Sequence, residues 1–214
     1  MVTQLQFQLN LMKNNMYKHT FSILFSILSI TLVLYATDAL AQPTGEGWYP
    51  AGSNPKGYKM GVSTDVRHND KPSAYIKSKH ADVSGFGTYM QTAKADDYLG
   101  KSVRMSAWIE SKDINGKGWA GMWFRVDGDS MKSLSFDNMG DRPIKGTTTW
   151  KKYETVLDVP AGAKDMAFGV LLNGGGEVNF TDVNFEILGP ATGKTGMTGM
   201  IGLPAKPKNL DFEK

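Results

Sequence analysis

The run from Trp119 to Asp127, Trp-Ala-Gly-Met-Trp-Phe-Arg-Val-Asp, constrains this chain more than any other stretch. Read with a period of two, Ala120, Met122, Phe124 and Val126 point one way, while Trp119, Gly121, Trp123, Arg125 and Asp127 point the other. The first set is an ordinary core face. The second places two indoles and a guanidinium in one row beside a carboxylate, and water is not where two Trp side chains normally stand. That face is either covered by the protein itself or open to a ligand, and sequence leaves both readings open.

Similar alternation recurs along the chain, while helical periodicity is almost absent after residue 42. Strands are expected at Tyr58–Ser63, Ala74–Lys79, Thr88–Thr92, Val103–Ser111, Trp119–Val126, Leu134–Asp137, Lys152–Val159, Met166–Asn173 and Val178–Leu188. Turn signals separate them, among them Asn69-Asp70-Lys71-Pro72, Asn115-Gly116-Lys117-Gly118 and Asn173-Gly174-Gly175-Gly176. Many short strands at this spacing predict an all-β antiparallel sandwich, one domain spanning about residues 46–188. Residues 189–214 form a Gly- and Pro-rich tail that ends in a further alternating segment, Asn209-Leu210-Asp211-Phe212-Glu213.

The N-terminal segment reads as a secretory signal. Met12 opens a polar stretch with Lys13, Lys18 and His19, an apolar run of 15 residues follows from Phe21 to Tyr35, and Ala39-Leu40-Ala41 offers a small-x-small cleavage site. The apolar run is shorter than the ~18–20 residues that span a bilayer, which counts against the competing reading of an uncleaved anchor. Residues 1–41 are expected to be the signal peptide, with Met12 as the start. The mature chain would then lack a membrane span and lie outside the cell, in the periplasm or on the envelope. Without cysteine there is no disulfide and no thiol for a lipid anchor. An exported domain of ~140–170 residues builds a sufficient core without disulfides.

Charge excludes one class of partner. The whole chain carries +3, and residues 1–41 contain two Lys and one Asp, so the remainder holds 22 basic against 20 acidic side chains. That near balance, without a Lys/Arg cluster or a helix-turn-helix pattern, argues against nucleic-acid binding. Catalytic signatures are also missing: no His-Glu-x-x-His, no Gly-x-Ser-x-Gly and no thiol nucleophile occurs. His68 and His80 stand beside turn residues and read as solvated loop histidines.

Several segments carry a resemblance. Gly87-Thr88-Tyr89-Met90-Gln91, Tyr98-Leu99-Gly100-Lys101 leading into Val103–Ile109, Trp150-Lys151-Lys152-Tyr153 and Asp182-Val183-Asn184-Phe185 resemble the jelly-roll sandwiches of carbohydrate-binding modules and galactose-binding-like domains. More narrowly, Phe136-Asp137-Asn138-Met139 with Asp141 to Thr148 resembles a bacterial family of exported proteins often labelled as AraC-type transcriptional regulators. Similar modules sit beside peptidase or esterase domains. The resemblance implies a jelly-roll fold and, by analogy, a structural calcium held near the first and last strands. Asp182, Asp211 and Glu213 are the carboxylates available for such an ion. Where relatives carry an aromatic near the last strand, this chain has Asn179. The closing Asn-Leu-Asp-Phe-Glu resembles the opening strand of such modules. It is expected either to return beside 182–188 and close the sandwich or to begin a second module.

Placing the strands on common faces yields a candidate site. Tyr89, Gln91, Arg104, Trp108, Trp119, Trp123 and Arg125 are expected to line one concave sheet face, where sugar rings stack on indoles while Arg and Gln bond the hydroxyls. Trp119 and Trp123 would stand ~13–14 Å apart, a spacing suited to an extended ligand. Trp48 and Trp150 are expected to plug the core. Asp137, Asn138, Asp141 and Arg142 read as an Asx-turn with an Asp–Arg pair, or as the rim of the groove. The functional expectation is a secreted, non-catalytic carbohydrate-binding-like module. The alternative is a protein–protein interaction module of the cell envelope, docking an envelope protein or enzyme module through the same face.

Overall fold

A computed structural model describes residues 45–193. The expected signal peptide, the tail beyond 193 and the segment 209–213 lie outside the described residues. Each of the nine expected strands is present, most of them longer than the alternation suggested, and a short one precedes them. In chain order they are β1 (Tyr49–Ala51), β2 (Tyr58–His68), β3 (Lys71–Ser78), β4 (Phe86–Lys94), β5 (Lys101–Ile114), β6 (Trp119–Asp127), β7 (Ser133–Asp137), β8 (Gly146–Val159), β9 (Asp165–Asn173) and β10 (Glu177–Pro190). They form two antiparallel five-stranded sheets, one ordered β1-β4-β9-β6-β7 and the other β2-β3-β10-β5-β8. The expected antiparallel β-sandwich is therefore the observed fold.

Turn chemistry explains the local connections. Asn69 and Asp70 join β2 to β3 in a two-residue loop, and both have positive φ, +48° and +62°. That is the loop geometry that matches strand twist, and Asn and Asp tolerate it well. The other pairings are mostly distant in sequence, as between Tyr49 and Met90 or Phe86 and Asn173. Packing rather than local propensity must hold them.

The core lies between the sheets. Tyr89, Met122, Phe124 and Val170 face inward from the first sheet, and Ile76, Met105, Ile109 and Phe180 from the second, all fully buried. Trp48, just before β1, packs its ring 5.7, 5.9 and 5.5 Å from Tyr89, Phe168 and Phe180. It is the core plug expected of it. Trp150 is not: its ring lies 5.1 Å from His68, whose ring is also 4.5 Å from Trp108. Trp108 alternates with the inward-facing Ala107 and Ile109, so this trio covers the outer face of the second sheet. His68 is accordingly an aromatic packing residue, with its side chain only 11% exposed, and not a solvated loop histidine.

One buried carboxylate ties the first sheet to the second. Asp137, at the end of β7, accepts hydrogen bonds from Arg142 Nη2 at 2.7 Å, Thr155 Oγ1 at 2.8 Å and the Met139 N–H at 2.8 Å. The loop 138–145 is thus the Asx-turn with an Asp–Arg pair anticipated above, and Asn138 adds a second such turn to the Gly140 N–H. Burial alone raises the Asp137 carboxyl, but the Arg142, Met139 and Thr155 donors outweigh it and hold the group below the ordinary carboxylate range. Its unfolded value is ~3.9, so the stabilisation is complete above that pH and is lost as pH falls through the lower folded value. Asp137→Asn should cost about 3 kcal/mol near neutrality by leaving donors without a charge to meet. In thermal melts from neutral to strongly acidic pH, the gap between variant and parent should close once the parent's carboxyl is protonated. A gap constant across that range would contradict this account.

Candidate functional site

The outer face of the first sheet carries a groove of about 490 Å³. Register builds it: Thr88 of β4 stands beside Leu171 of β9 and Gly121 of β6, while Met90, Gly169 and Trp123 form the next row. Thr88, Leu171 and Trp123 are buried and make the floor, with Met90 beside them. Trp119, Phe86 and Phe136 rise at the margins, Phe136 being 40% exposed. Ala167, Leu171 and Trp123 form a small apolar cluster of their own, separate from the core, with Phe86, Met90 and Trp119 packed on it.

Two glycines make room for this arrangement. Gly169 lies between Met90 and Trp123, where a Cβ would stand 2.4 Å from the Tyr89 carbonyl oxygen. At Gly121, between the two indoles of β6, a Cβ would stand 2.6 Å from the Asn138 carbonyl oxygen. The loop after β7 therefore passes over the row between Trp119 and Trp123. It is pinned there by paired backbone hydrogen bonds between Ala120 and Ile144, at 2.9 and 2.8 Å.

The polar groups of the groove are mostly spoken for. Trp123 Nε1 donates to Thr88 Oγ1 at 2.7 Å, and that hydroxyl donates to the Val170 carbonyl at 2.7 Å. Trp123 thus lies in the floor with its one donor satisfied, offering a ligand only ring surface. Arg125 directs Nε and Nη2 onto Asp127 Oδ2, at 2.9 and 2.8 Å, which leaves Nη1 free of that pair. Asp127 Oδ1 is buried and has no hydrogen-bond partner. Asn138 and Asn173 complete the polar edge.

The seven expected ligand residues do not share one face. Trp119, Trp123 and Arg125 line the groove just described. Tyr89 is fully buried on the inner face of the same sheet, its hydroxyl accepting from the Gly45 N–H at 3.0 Å. Gln91 follows it inward and donates to the Glu46 carbonyl at 3.3 Å. Arg104 and Trp108 belong to β5, hence to the outer face of the opposite sheet, where Arg104 meets Glu186 at 2.8 Å and Glu154 at 3.4 Å. The physical reason is plain. Alternation separates the two faces of one strand, but it does not say which sheet the strand joins, nor which parity of a short strand such as β4 points inward.

Other groove residues carry little signal in the sequence. Thr88 and Met90 sit between the more conspicuous Tyr89 and Gln91. Leu171 hides in a run, Met166–Leu172, that is apolar at both parities; such a run signals that both faces of β9 are covered or occupied. Asn179 sits mid-strand on the outer face of the second sheet and donates to Glu110 at 3.3 Å. There burial lifts the Glu110 carboxyl above its ordinary range, while the Asn179 bond opposes that rise. Of the three carboxylates suggested for calcium, Asp182 is engaged by Lys71 Nζ and lies 3.8 Å from His68 Nδ1, while Asp211 and Glu213 lie outside the described residues. Among the described residues no group of three or more His, Asp or Glu side chains is arranged to hold a metal. Nor is any helix there long and apolar enough to cross a membrane.

Comparison with known proteins places the fold. No family profile matches the chain. A Bacillus subtilis protein named as an uncharacterized HTH-type transcriptional regulator, YbfP, is 41% identical over 169 residues, which is 78% of this chain and 57% of the relative. The chain thus spans little more than half of that relative's length. Among solved structures, the CBM22-1 xylan-binding domain of Paenibacillus barcinonensis Xyn10C matches with a TM-score of 0.51 and 12% identity, covering 70% of this chain and 90% of that domain. The enzymatically active domain of tailspike protein 4 from bacteriophage CBA120 matches with a TM-score of 0.51 and 13% identity, over 70% of this chain and 21% of the other. At these identities the likeness is one of fold, the jelly roll shared with carbohydrate-binding modules.

The Thr88–Trp123 pair is testable by itself. Thr88→Val keeps the shape but strands a buried indole N–H, which should cost about 1–3 kcal/mol. In a Trp123→Phe background the same change should cost far less, because no donor remains to be orphaned. Chemical denaturation of the four proteins in that cycle measures the coupling, and additive losses would remove the hydrogen bond from this account.

Proposed function

We propose that the chain is an exported, non-catalytic carbohydrate-binding-like module that holds an extended ligand across the outer face of β4, β9 and β6. The observation that carries this reading is the groove itself. A floor of buried indole, Leu and Thr is flanked by part-exposed Trp119 and Phe136, with Arg125, Asn138 and Asn173 at the edge. Flat C–H faces of a sugar ring pack on such aromatic walls, and a few edge donors and acceptors suffice to orient the hydroxyls. The shared fold with a xylan-binding domain supports the same reading and makes xylan oligosaccharides the first probe. Binding rather than turnover suits the groove's chemistry. Its lining offers no carboxylate, imidazole or free nucleophile, since the Thr88 hydroxyl is already committed. Export rests on the order of basic region, apolar run and small-x-small site in residues 12–41.

A second reading, docking of an envelope protein through the same groove, is favoured by the apolar lining. Phe86, Met90, Trp119, Phe136 and Leu171 outnumber the polar edge groups, which is how protein anchor pockets are built. The relative's name raises DNA binding, but residues 45–193 contain helical structure only as three 3-10 turns of three residues each, so no helix-turn-helix falls within them.

Titration calorimetry with xylan and β-glucan oligosaccharides tests the first reading. Trp119→Ala and Phe136→Ala should each weaken binding about tenfold or more while the melting temperature moves by no more than about 2 °C. Trp123→Ala should instead destabilise the fold, because that indole is floor and only 8% exposed. A parent that binds none of the glycans, yet captures a protein through Trp119 and Phe136, would replace the glycan reading with the docking one.

A further inference from the structure

Two aromatic side chains are exposed among the described residues, Tyr49 at 43% and Phe136 at 40%, and both stand on the outer face of the first sheet. Phe136 belongs to β7 and to the groove already described. Tyr49 belongs to β1, at the opposite edge of that sheet. Its side is set by its neighbour: Trp48 turns into the core, and the alternation that begins there sends Tyr49 the other way. Two contacts agree. Tyr49 pairs with Met90, which packs on the apolar floor of the groove, and the Tyr49 hydroxyl shares a 2.8 Å hydrogen bond with Thr92 Oγ1.

Register links the two exposed rings. Tyr49, Met90, Gly169 and Trp123 form one row across β1, β4, β9 and β6, and Phe136 stands one row along, opposite Arg125. Four strand spacings of ~4.8 Å and one row of ~6.8 Å put Tyr49 and Phe136 ~20 Å apart, with the floor of the groove between them. Gly169, in mid-row, raises no side chain in this path. The path along β6 is different. The Asn138 carbonyl oxygen and the Trp119 ring close over Gly121, at 2.6 and 3.1 Å from where a Cβ would stand. A ligand lying along the strand from Trp119 to Trp123 would meet that loop. An extended ligand therefore fits across the strands and not along them.

We infer that Tyr49 is a further ligand-stacking residue of this face, the far end of a cross-strand track that starts at Phe136 and runs over Trp123 and Met90; this rests on the glycan reading of the groove. The bond to Thr92 holds the ring in place before a ligand arrives, so stacking on it costs little side-chain entropy. A flat sugar face gains from such a ring what it gains from Phe136. β1 is the edge strand, so no strand of the described residues stands beyond Tyr49 to block that end. Short oligosaccharides fill the floor without reaching Tyr49. Only a chain that covers the ~20 Å track meets both rings.

The test is titration calorimetry of the full chain with xylan and β-glucan oligosaccharides of increasing length, up to the hexasaccharide. Affinity of the parent should rise with length. Tyr49→Ala should weaken the hexasaccharide about fivefold to tenfold, and the shortest oligosaccharide that the parent binds less than about twofold. Tyr49→Phe keeps the ring and should hold hexasaccharide affinity within about threefold of the parent. Tyr49→Leu keeps apolar bulk without a flat face and should lose affinity as Tyr49→Ala does, which covers the case in which the Ala variant folds poorly. Equal losses at every length would make Tyr49 a support of the groove and not part of it. Full affinity at every length would leave it outside the ligand's path. Either result overturns the inference while the glycan reading stands, whereas a parent that binds neither series overturns both.

Discussion

Everything on the outer surface of the first sheet depends on the packing of its inner one. Tyr89, Phe168 and Phe124 must face the second sheet to meet Trp48, Phe180 and Phe185, with ring separations of 4.7 to 5.9 Å where the rings touch. Side chains alternate with period two, so this requirement also fixes the opposite parity. Thr88, Leu171 and Trp123 are placed on one outer row or the next by what their neighbours bury. A slip of one residue in β4 would send Tyr89 into water and Thr88 into the core. The groove is therefore a by-product of core register, which lets it tolerate an apolar floor that no sheet covers.

The site's polar chemistry follows from that constraint. A buried indole needs an acceptor for its N–H, and the neighbouring strand supplies Thr88, whose own proton is taken by Val170. Arg125 is held to Asp127 on its own strand, two residues along and on the same face. What remains for a ligand is ring surface and a few edge amides. Such a face gains affinity from shape and apolar contact and gains orientation from few hydrogen bonds. The second sheet handles its aromatic outer residues differently, by stacking His68 against Trp108 and Trp150, so those indoles are partnered within the chain.

The Asp137 node links the groove to the rest of the sandwich. Its three donors come from β8 and from the loop that crosses Gly121, so one carboxylate both joins the sheets and sets the height of Asn138 over the groove. A buried charge with several donors is sensitive to loss of any one of them, so the position of this loop depends on all three.

Much of this was legible in the residue order. Alternation in β6 and β5 determined their inner faces, the turn residues marked the ends of the strands, and Asp137 followed by Asn138 and Gly140 determined the Asx-turns. Those features arise from contacts within a few residues, where sequence spacing and geometry are the same thing. Sequence alone did not determine that β5 joins a different sheet from β4 and β6. Alternation alone for that reason puts Arg104 and Trp108 on the wrong side of the molecule, and Tyr89 at a surface instead of in the core. Sheet membership, and the crossing of the 138–145 loop between two indoles, depend on pairing between strands far apart in the chain. Only the tertiary structure decides such pairings, because the competing arrangements bury the same residues with the same local alternation.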